Sequence, residues 1–154
     1  MELKAKTTEP NKNDPAVKYG DDLRSLLETG EELRGVSVGS WQKNYFSTAV
    51  VLLGVTDRRV VIKTLDRRGR LKDEPEISVY ADDIAKAGVG GGGAFGSTAG
   101  LVDSSSITVK LKTHAGEKYK LSLMNGEGLL GAFSGPSQRV GAEALAAFAE
   151  ARAR

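Results

Sequence analysis

Apolar residues fall in short runs along most of this chain, and only its two ends carry helical spacing. The stretch Ala49 to Lys63, AVVLLGVTDRRVVIK, organises the rest. Val50–Val55 and Val60–Lys63 are β-branched, strand-like runs around Thr56-Asp57-Arg58-Arg59, which predicts a β-hairpin. Asp57 is placed to accept backbone N–H groups in the reversal. The first run is almost continuously apolar, so both of its faces should be covered. Upstream, Leu33–Tyr45 reads as a long strand. Its apolar members Leu33, Val36, Val38 and Trp41 do not alternate cleanly, which calls for a bulge near Gly35 or Gly39. Trp41 should be buried against the core or the N-terminal helix, and residues 43–46 should turn the chain into the next strand.

Downstream, Ile77–Tyr80 is a short strand, and Ala81-Asp82-Asp83-Ile84 a turn that returns Ile84 to the core. Ala85–Val89 is a weakly marked strand. Ser106–Lys112 and Lys118–Met124 alternate strictly, with Ile107, Val109, Leu111, Tyr119, Leu121 and Leu123 on one side and basic residues on the other. They form a second hairpin with His114 in its exposed turn. Asp14-Pro15 opens an N-terminal helix, with Asp14 as cap, Val17, Leu23, Leu26 and Leu27 as its apolar stripe, and Gly30 as its end. This helix should lie on the sheet, or else against a second copy of itself. Pro136 and Ser137 open a closing helix whose packing face is read as Val140, Ala144, Leu145, Phe148 and Ala151. Residues 1–13 are polar and aperiodic and read as a disordered tail. Residues 14–154 read as one domain, with a helix over 14–30, strands over 31–135 and a helix over 136–152.

Composition narrows the chemistry. The 154 residues are 40% hydrophobic, with 19 glycines, no cysteine and one histidine. Disulfides, a thiol nucleophile and thiolate metal sites are excluded, and a protein-only zinc site has too few ligands. No cofactor is implied. The N-terminus lacks the apolar core of a signal peptide, and no window has the length of a membrane span. These features suit a cytoplasmic protein that could still sit peripherally on a membrane.

No catalytic residue emerges. There is no Gly-x-Ser-x-Gly elbow, Asp82-Asp83 suits a turn, and Asp21-Asp22 suits a solvated helix face. The segment Gly88–Gly100, GVGGGGAFGSTAG, has no P-loop lysine and no flanking βαβ pattern, so it is not a phosphate cradle. Phe95 within it either tucks onto the barrel or contacts a partner. Net charge is only +2, but Arg58, Arg59, Lys63, Arg67, Arg68, Arg70 and Lys72 crowd one stretch against Asp57 and Asp66. A basic cluster of this kind suits phosphates, acidic proteins or anionic lipid, or simply keeps a loop solvated. Together with Lys110, Lys112, Lys118 and Lys120 it could touch nucleic-acid phosphates, although no aromatic stacking platform accompanies it.

The order of elements, with LLETGEELRGV, VLLGVTDRRVVIK, PEISVYADDIAKAGV, SSSITVKLKTHAGEKYKLSL and VGAEALAAFAEA, resembles the bacterial pleckstrin-homology-like family over roughly Leu26 to Ala151. Gly30-Glu31-Glu32, the hairpin around Thr56-Asp57-Arg58-Arg59 and Ile77–Ile84 carry the resemblance. It implies a mainly β fold of about seven strands in bent antiparallel sheets, or a partly open barrel, closed by a C-terminal helix. It also implies a binding function, often with oligomerisation. Lys43 stands on the turn where eukaryotic lipid-binding members spread Lys and Arg, but no Lys-x-Arg pair follows it. The reading is therefore a non-enzymatic module for protein–protein interaction and self-association. The alternative is reversible binding to an anionic membrane. Lys43, Arg67, Arg68, Arg70, Lys72 and Phe95 form the candidate binding surface.

Overall fold

A computed structural model of the protein describes residues 14–44, 47–91, 106–124 and 136–152. Phe95 and the expected N-terminal tail lie outside the described residues. Helix α1 (Pro15–Arg24) is followed by strands β1 (Leu33–Asn44), β2 (Ser47–Thr56), β3 (Arg59–Thr64) and β4 (Ile77–Tyr80). A 3₁₀ turn at Ala81–Asp83 leads into β5 (Ile84–Gly91), β6 (Ser106–Thr113) and β7 (Lys118–Met124), and helix α2 (Pro136–Arg152) completes the order.

The strands form one antiparallel sheet in the order β4-β3-β2-β1-β7-β6-β5. β1 joins its two halves. It pairs with β2 from Leu33↔Thr56 to Asn44↔Ser47, but with β7 only at Gly39, Ser40 and Trp41. The sheet therefore curls about β1 into a half-barrel, with α1 and α2 packed on it. This is the architecture that the family resemblance implies.

Two clusters explain why β2 is apolar at successive positions. Val51, Leu53 and Val55 face the inside of the curl, where Leu145, Phe148 and Ala149 of α2 also pack. Leu52 faces outward and is covered by Tyr19 and Leu23 of α1. Val51, Leu52 and Leu53 are all fully buried, as the unbroken apolar run requires. Val50, before the covered segment, is exposed. Trp41 is half-buried against the inner core and tilts over Tyr119, with ring centroids 5.6 Å apart.

Several local expectations are corrected. Helix α1 ends at Arg24, not Gly30, and Gly30 has φ 80° in a separate turn. Val17 faces solvent, and Tyr19 takes its place in the apolar stripe. The Asp14 side chain does not cap its own helix. It accepts the Ser137 N–H of α2 at 2.9 Å, while the Ser137 hydroxyl accepts the Ala16 N–H at 2.9 Å. Each helix thus satisfies a free N–H of the other. The glycine segment begins as strand, since β5 runs through Gly91.

On α2, Val140 and Ala151 face outward, and the packing stripe is Gln138, Gly141, Ala142, Leu145, Phe148 and Ala149. The reason is close approach. A Cβ on Gly141 would lie 2.5 Å from the Val36 carbonyl oxygen, and one on Gly35 would lie 2.8 Å from Gly141 Cα. Bulky side chains cannot occupy that crossing. The bulge near Gly35 is present, between Leu33 and Gly35, and a second irregularity falls between Gln42 and Asn44. Gln138 then completes β1 where β7 does not reach. Its amide accepts the Val38 N–H and donates to the Val38 carbonyl, both at 2.9 Å.

Candidate functional site

The sequence signatures around Glu31 and Arg59 build a buried polar joint. Arg59 Nε donates to Glu31 Oε2 at 2.8 Å and Nη2 to Oε1 at 2.9 Å, with side-chain exposures of 4% and 0%. Thr56 Oγ1 donates to Glu31 Oε2 at 2.7 Å, and the Glu28 N–H to Oε1 at 2.9 Å. Arg59 also donates to Ser78 Oγ at 2.7 Å and to the Leu26 carbonyl at 2.9 Å. Hydrogen bonding from Arg59 holds the Glu31 carboxyl at about 2, against an ordinary 4.5, despite burial. Every acceptor of the carboxylate is occupied, so the joint ties the α1–β1 connection to the β2–β3 hairpin and to β4.

The hairpin reversal works differently from the sequence expectation. Thr56 Oγ1 accepts the N–H groups of Arg58 and Arg59 at 3.0 Å each. Asp57 instead accepts the Glu32 N–H at 2.9 Å, across to the start of β1.

The basic segment between β3 and β4 is an ordered small hairpin. Leu65 and Leu71 bridge, and the Asp66 N–H donates to the Arg70 carbonyl at 2.8 Å. Asp66 Oδ1 accepts the N–H groups of Arg68 at 2.8 Å and Arg70 at 2.9 Å. These bonds, Arg70 foremost, lower the Asp66 pKa. Gly69 supplies the positive φ of 79°. Its carbonyl accepts the Tyr19 hydroxyl, which pins the tip to α1.

Arg67, Arg68, Arg70 and Lys72 are all exposed on this hairpin. Arg67 and Lys72 line a cleft of about 500 Å³ together with Lys43 at the end of β1 and with Asp66 and Glu74. Three of the candidate residues are thus brought together. Arg68 and Arg70 stand on the same hairpin without lining the cleft, and Arg70 is ion-paired with Asp66 at 3.5 Å. Lys43 Nζ also lies 5.0 Å from the Trp41 ring centroid.

A second basic surface lies on the outer side of β5, β6 and β7. The register sets Lys86 opposite Lys112 and Lys112 opposite Lys118. One step along, Gly88 is opposite Lys110 and Lys110 opposite Lys120. A cleft of about 430 Å³ is lined by these five lysines, by Gly88 and by Lys43, which is common to both clefts. The alternation of Lys110, Lys112, Lys118 and Lys120 is visible in the sequence. The addition of Lys86 and the pairing of lysine with lysine depend on register, which no local pattern encodes.

Among the described residues no group of three His, Cys, Asp or Glu gathers to hold a metal ion. Asp82 and Asp83 lie in the 3₁₀ turn, and His114 is exposed in the β6–β7 turn. No described helix is long and apolar enough to cross a membrane.

No family model matches the chain, and no curated protein matches it. Among solved structures, the crystal structure of the C-terminal domain of an unknown protein from Leishmania infantum aligns with 13% identity and a TM-score of 0.43, covering 69% of this chain and 81% of that one. The hSac2 domain from human phosphoinositide phosphatase Sac2 aligns with 13% identity and a TM-score of 0.46, covering 86% of this chain and 77% of the other.

Proposed function

We propose that the protein is a cytoplasmic, non-enzymatic binding module that acts through contact with other proteins, with residues 14–154 working as one domain. One observation carries this reading. The lysines of β5, β6 and β7 stand opposite one another, exposed, with no carboxylate paired to them among the described residues. Self-association would use a different surface, because a twofold contact through this face sets lysine against lysine. The free edge of β4 is a candidate, since β3 is its one strand neighbour among the described residues.

The test is site-specific photo-crosslinking in cells, with the reactive group at position 112 or, as a control, at exposed position 143, combined with sedimentation of the purified protein across a concentration series. A discrete heteromeric adduct from 112 and not from 143 supports the reading. No adduct from 112, with a monomer at every concentration, rejects it.

The convergence of Lys43, Arg67 and Lys72 on one cleft favours a second reading, reversible binding to an anionic membrane through Lys43, Arg67, Arg68, Arg70 and Lys72. Arg67 and Arg68 are exposed at the turn of the pinned hairpin. Pelleting with anionic liposomes over a salt series tests it. Binding should fall steeply with salt and disappear in an Arg67→Gln, Arg68→Gln, Arg70→Gln variant. Binding unchanged by that variant rules it out.

A further inference from the structure

The lysine face is a two-by-three grid with one position left vacant of side chain. Its first row is Lys86, Lys112 and Lys118, and its second is Gly88, Lys110 and Lys120. Like charges directly opposite one another destabilise a sheet. None of the five lysines forms an ion pair with a described residue. A surface built only for solubility intersperses both signs. Gly88 stands out for a second reason. A Cβ there would meet nothing within 4 Å, and Gly88 does not share the positive φ of Gly30, Gly69 and Gly116. Glycine in a strand interior is unfavourable. Here neither packing nor backbone conformation requires it, and its effect is to leave one corner of the grid, beside Lys86 and Lys110, open.

We propose that this grid is the docking site for an extended acidic segment of a partner protein, with carboxylates at alternate residues and its backbone passing over Gly88. The proposal rests on the protein-binding reading above and names the partner's chemistry.

Three features favour this occupant. First, the repeats match. Rows two residues apart along a strand are separated by about 6.6–6.8 Å, and an extended segment presents every second side chain at the same interval. Second, the grid is compact. Three strands and one two-residue step span about 10 Å by 7 Å, the footprint of a short extended segment. Lys110, Lys112, Lys118 and Lys120 are exposed on β6 and β7, and the one aromatic residue lining the cleft, Tyr119, is buried in the inner core and offers no face on which a base could stack. Third, the five lysines line one cleft of about 430 Å³, which an extended chain can enter.

The test uses fluorescence anisotropy with a labelled peptide that alternates glutamate and threonine. It is compared with a peptide of the same composition whose glutamates are contiguous, and with anionic vesicles. The full chain is assayed as wild type, Lys110→Glu/Lys120→Glu, and Gly88→Val. The valine leaves charge unchanged, suits a strand and fills the open position, and thermal melts confirm that each variant folds. The alternating peptide should bind more tightly than the contiguous one. Affinity should fall about tenfold or more in the charge-reversal variant and by a similar factor in Gly88→Val, while Gly88→Val leaves any vesicle binding intact.

Equal binding of the two peptides, or no response to Gly88→Val, overturns the seated-segment proposal in favour of a diffuse anion surface. Peptide binding that ignores both variants places the contact elsewhere and leaves the protein-binding reading standing. Vesicle binding with no peptide binding overturns the proposal and turns the function toward the membrane.

Discussion

Removing the charge of Glu31 should cost the fold about 3 kcal/mol at neutral pH. The carboxyl titrates at about 2 in the folded chain against an ordinary 4.5. At about 1.4 kcal/mol per pKa unit, that difference contributes roughly 3 kcal/mol to folding. The side chain is fully buried, so solvent screening takes little away. Replacing one member of a buried pair gives a similar figure, about 3–5 kcal/mol, because the guanidinium of Arg59 is left buried and incompletely paired. The folded pKa is depressed, so the sign is fixed. The stabilisation is complete above the unfolded value near 4.5 and is lost as pH falls toward 2. Urea denaturation of wild type and Glu31→Gln, followed by Trp41 fluorescence, measures this directly. The gap between the two proteins should be about 3 kcal/mol at pH 7 and less than half of that at pH 3. A gap of the same size at both values would refute the claim that ionised Glu31 holds the joint. So would a gap below about 1 kcal/mol at pH 7, the scale of a surface pair.

Other contacts give independent tests by the same urea denaturation. Gln138→Leu leaves the Val38 N–H and carbonyl without their partner and should destabilise by about 2 kcal/mol or more. A change below half that figure would mean that water replaces the amide. Gly141→Ala forces α2 off β1 at the Val36 carbonyl and should cost about 1–3 kcal/mol, although alanine is the better helix former. Stabilisation would refute the close crossing. Tyr19→Phe removes the hydroxyl that holds the Gly69 carbonyl. It should cost about 1 kcal/mol and speed amide exchange at Gly69 and Arg70, while exchange in β6 and β7 stays unchanged.

Strand positions were legible where composition and burial agree. Ala49 to Lys63 declares its hairpin because β2 must be apolar on both faces, one toward α2 and one toward α1. Ile77–Tyr80 and Lys118–Met124 fall where their runs of apolar and alternating residues place them. The helices were less legible. On α2, the hydrophobic spacing finds Leu145 and Phe148 of the packing face but adds the outward Val140 and Ala151 and misses Gln138, Gly141, Ala142 and Ala149. Hydrophobicity favours Val140, and the tight crossing at Val36 instead turns Gly141, with Gln138 and Ala142, toward the sheet. Gly30 reads as a helix end because glycine marks positive φ, yet that φ serves the turn that delivers Glu31 to Arg59. Among the candidate binding residues, the meeting of Lys43 with Arg67 and Lys72 and the stacking of lysine on lysine are products of register. Register is decided across the sheet and not within any one segment.

The acids explain why so modest a net charge leaves such one-sided basic surfaces. Asp14 is taken by the N-terminus of α2, Glu31 by Arg59, Asp57 by the Glu32 N–H and Asp66 by the turn at Arg68 and Arg70. All of these lie with α1, α2 or the β1–β3 half of the sheet, where carboxylates close joints that the backbone leaves open. Among the described residues, no carboxylate pairs with the lysines on the outer face of the β5–β7 half. Its lysines therefore remain uncompensated while the whole chain stays near neutral at +2. Charge separated in this way steers an acidic partner toward one side of the molecule over about a Debye length. The final affinity then depends on whether the partner's carboxylates match the lysine rows. An approach rate that falls with salt, with a dissociation rate that responds to Gly88→Val, would separate the steering from the seating.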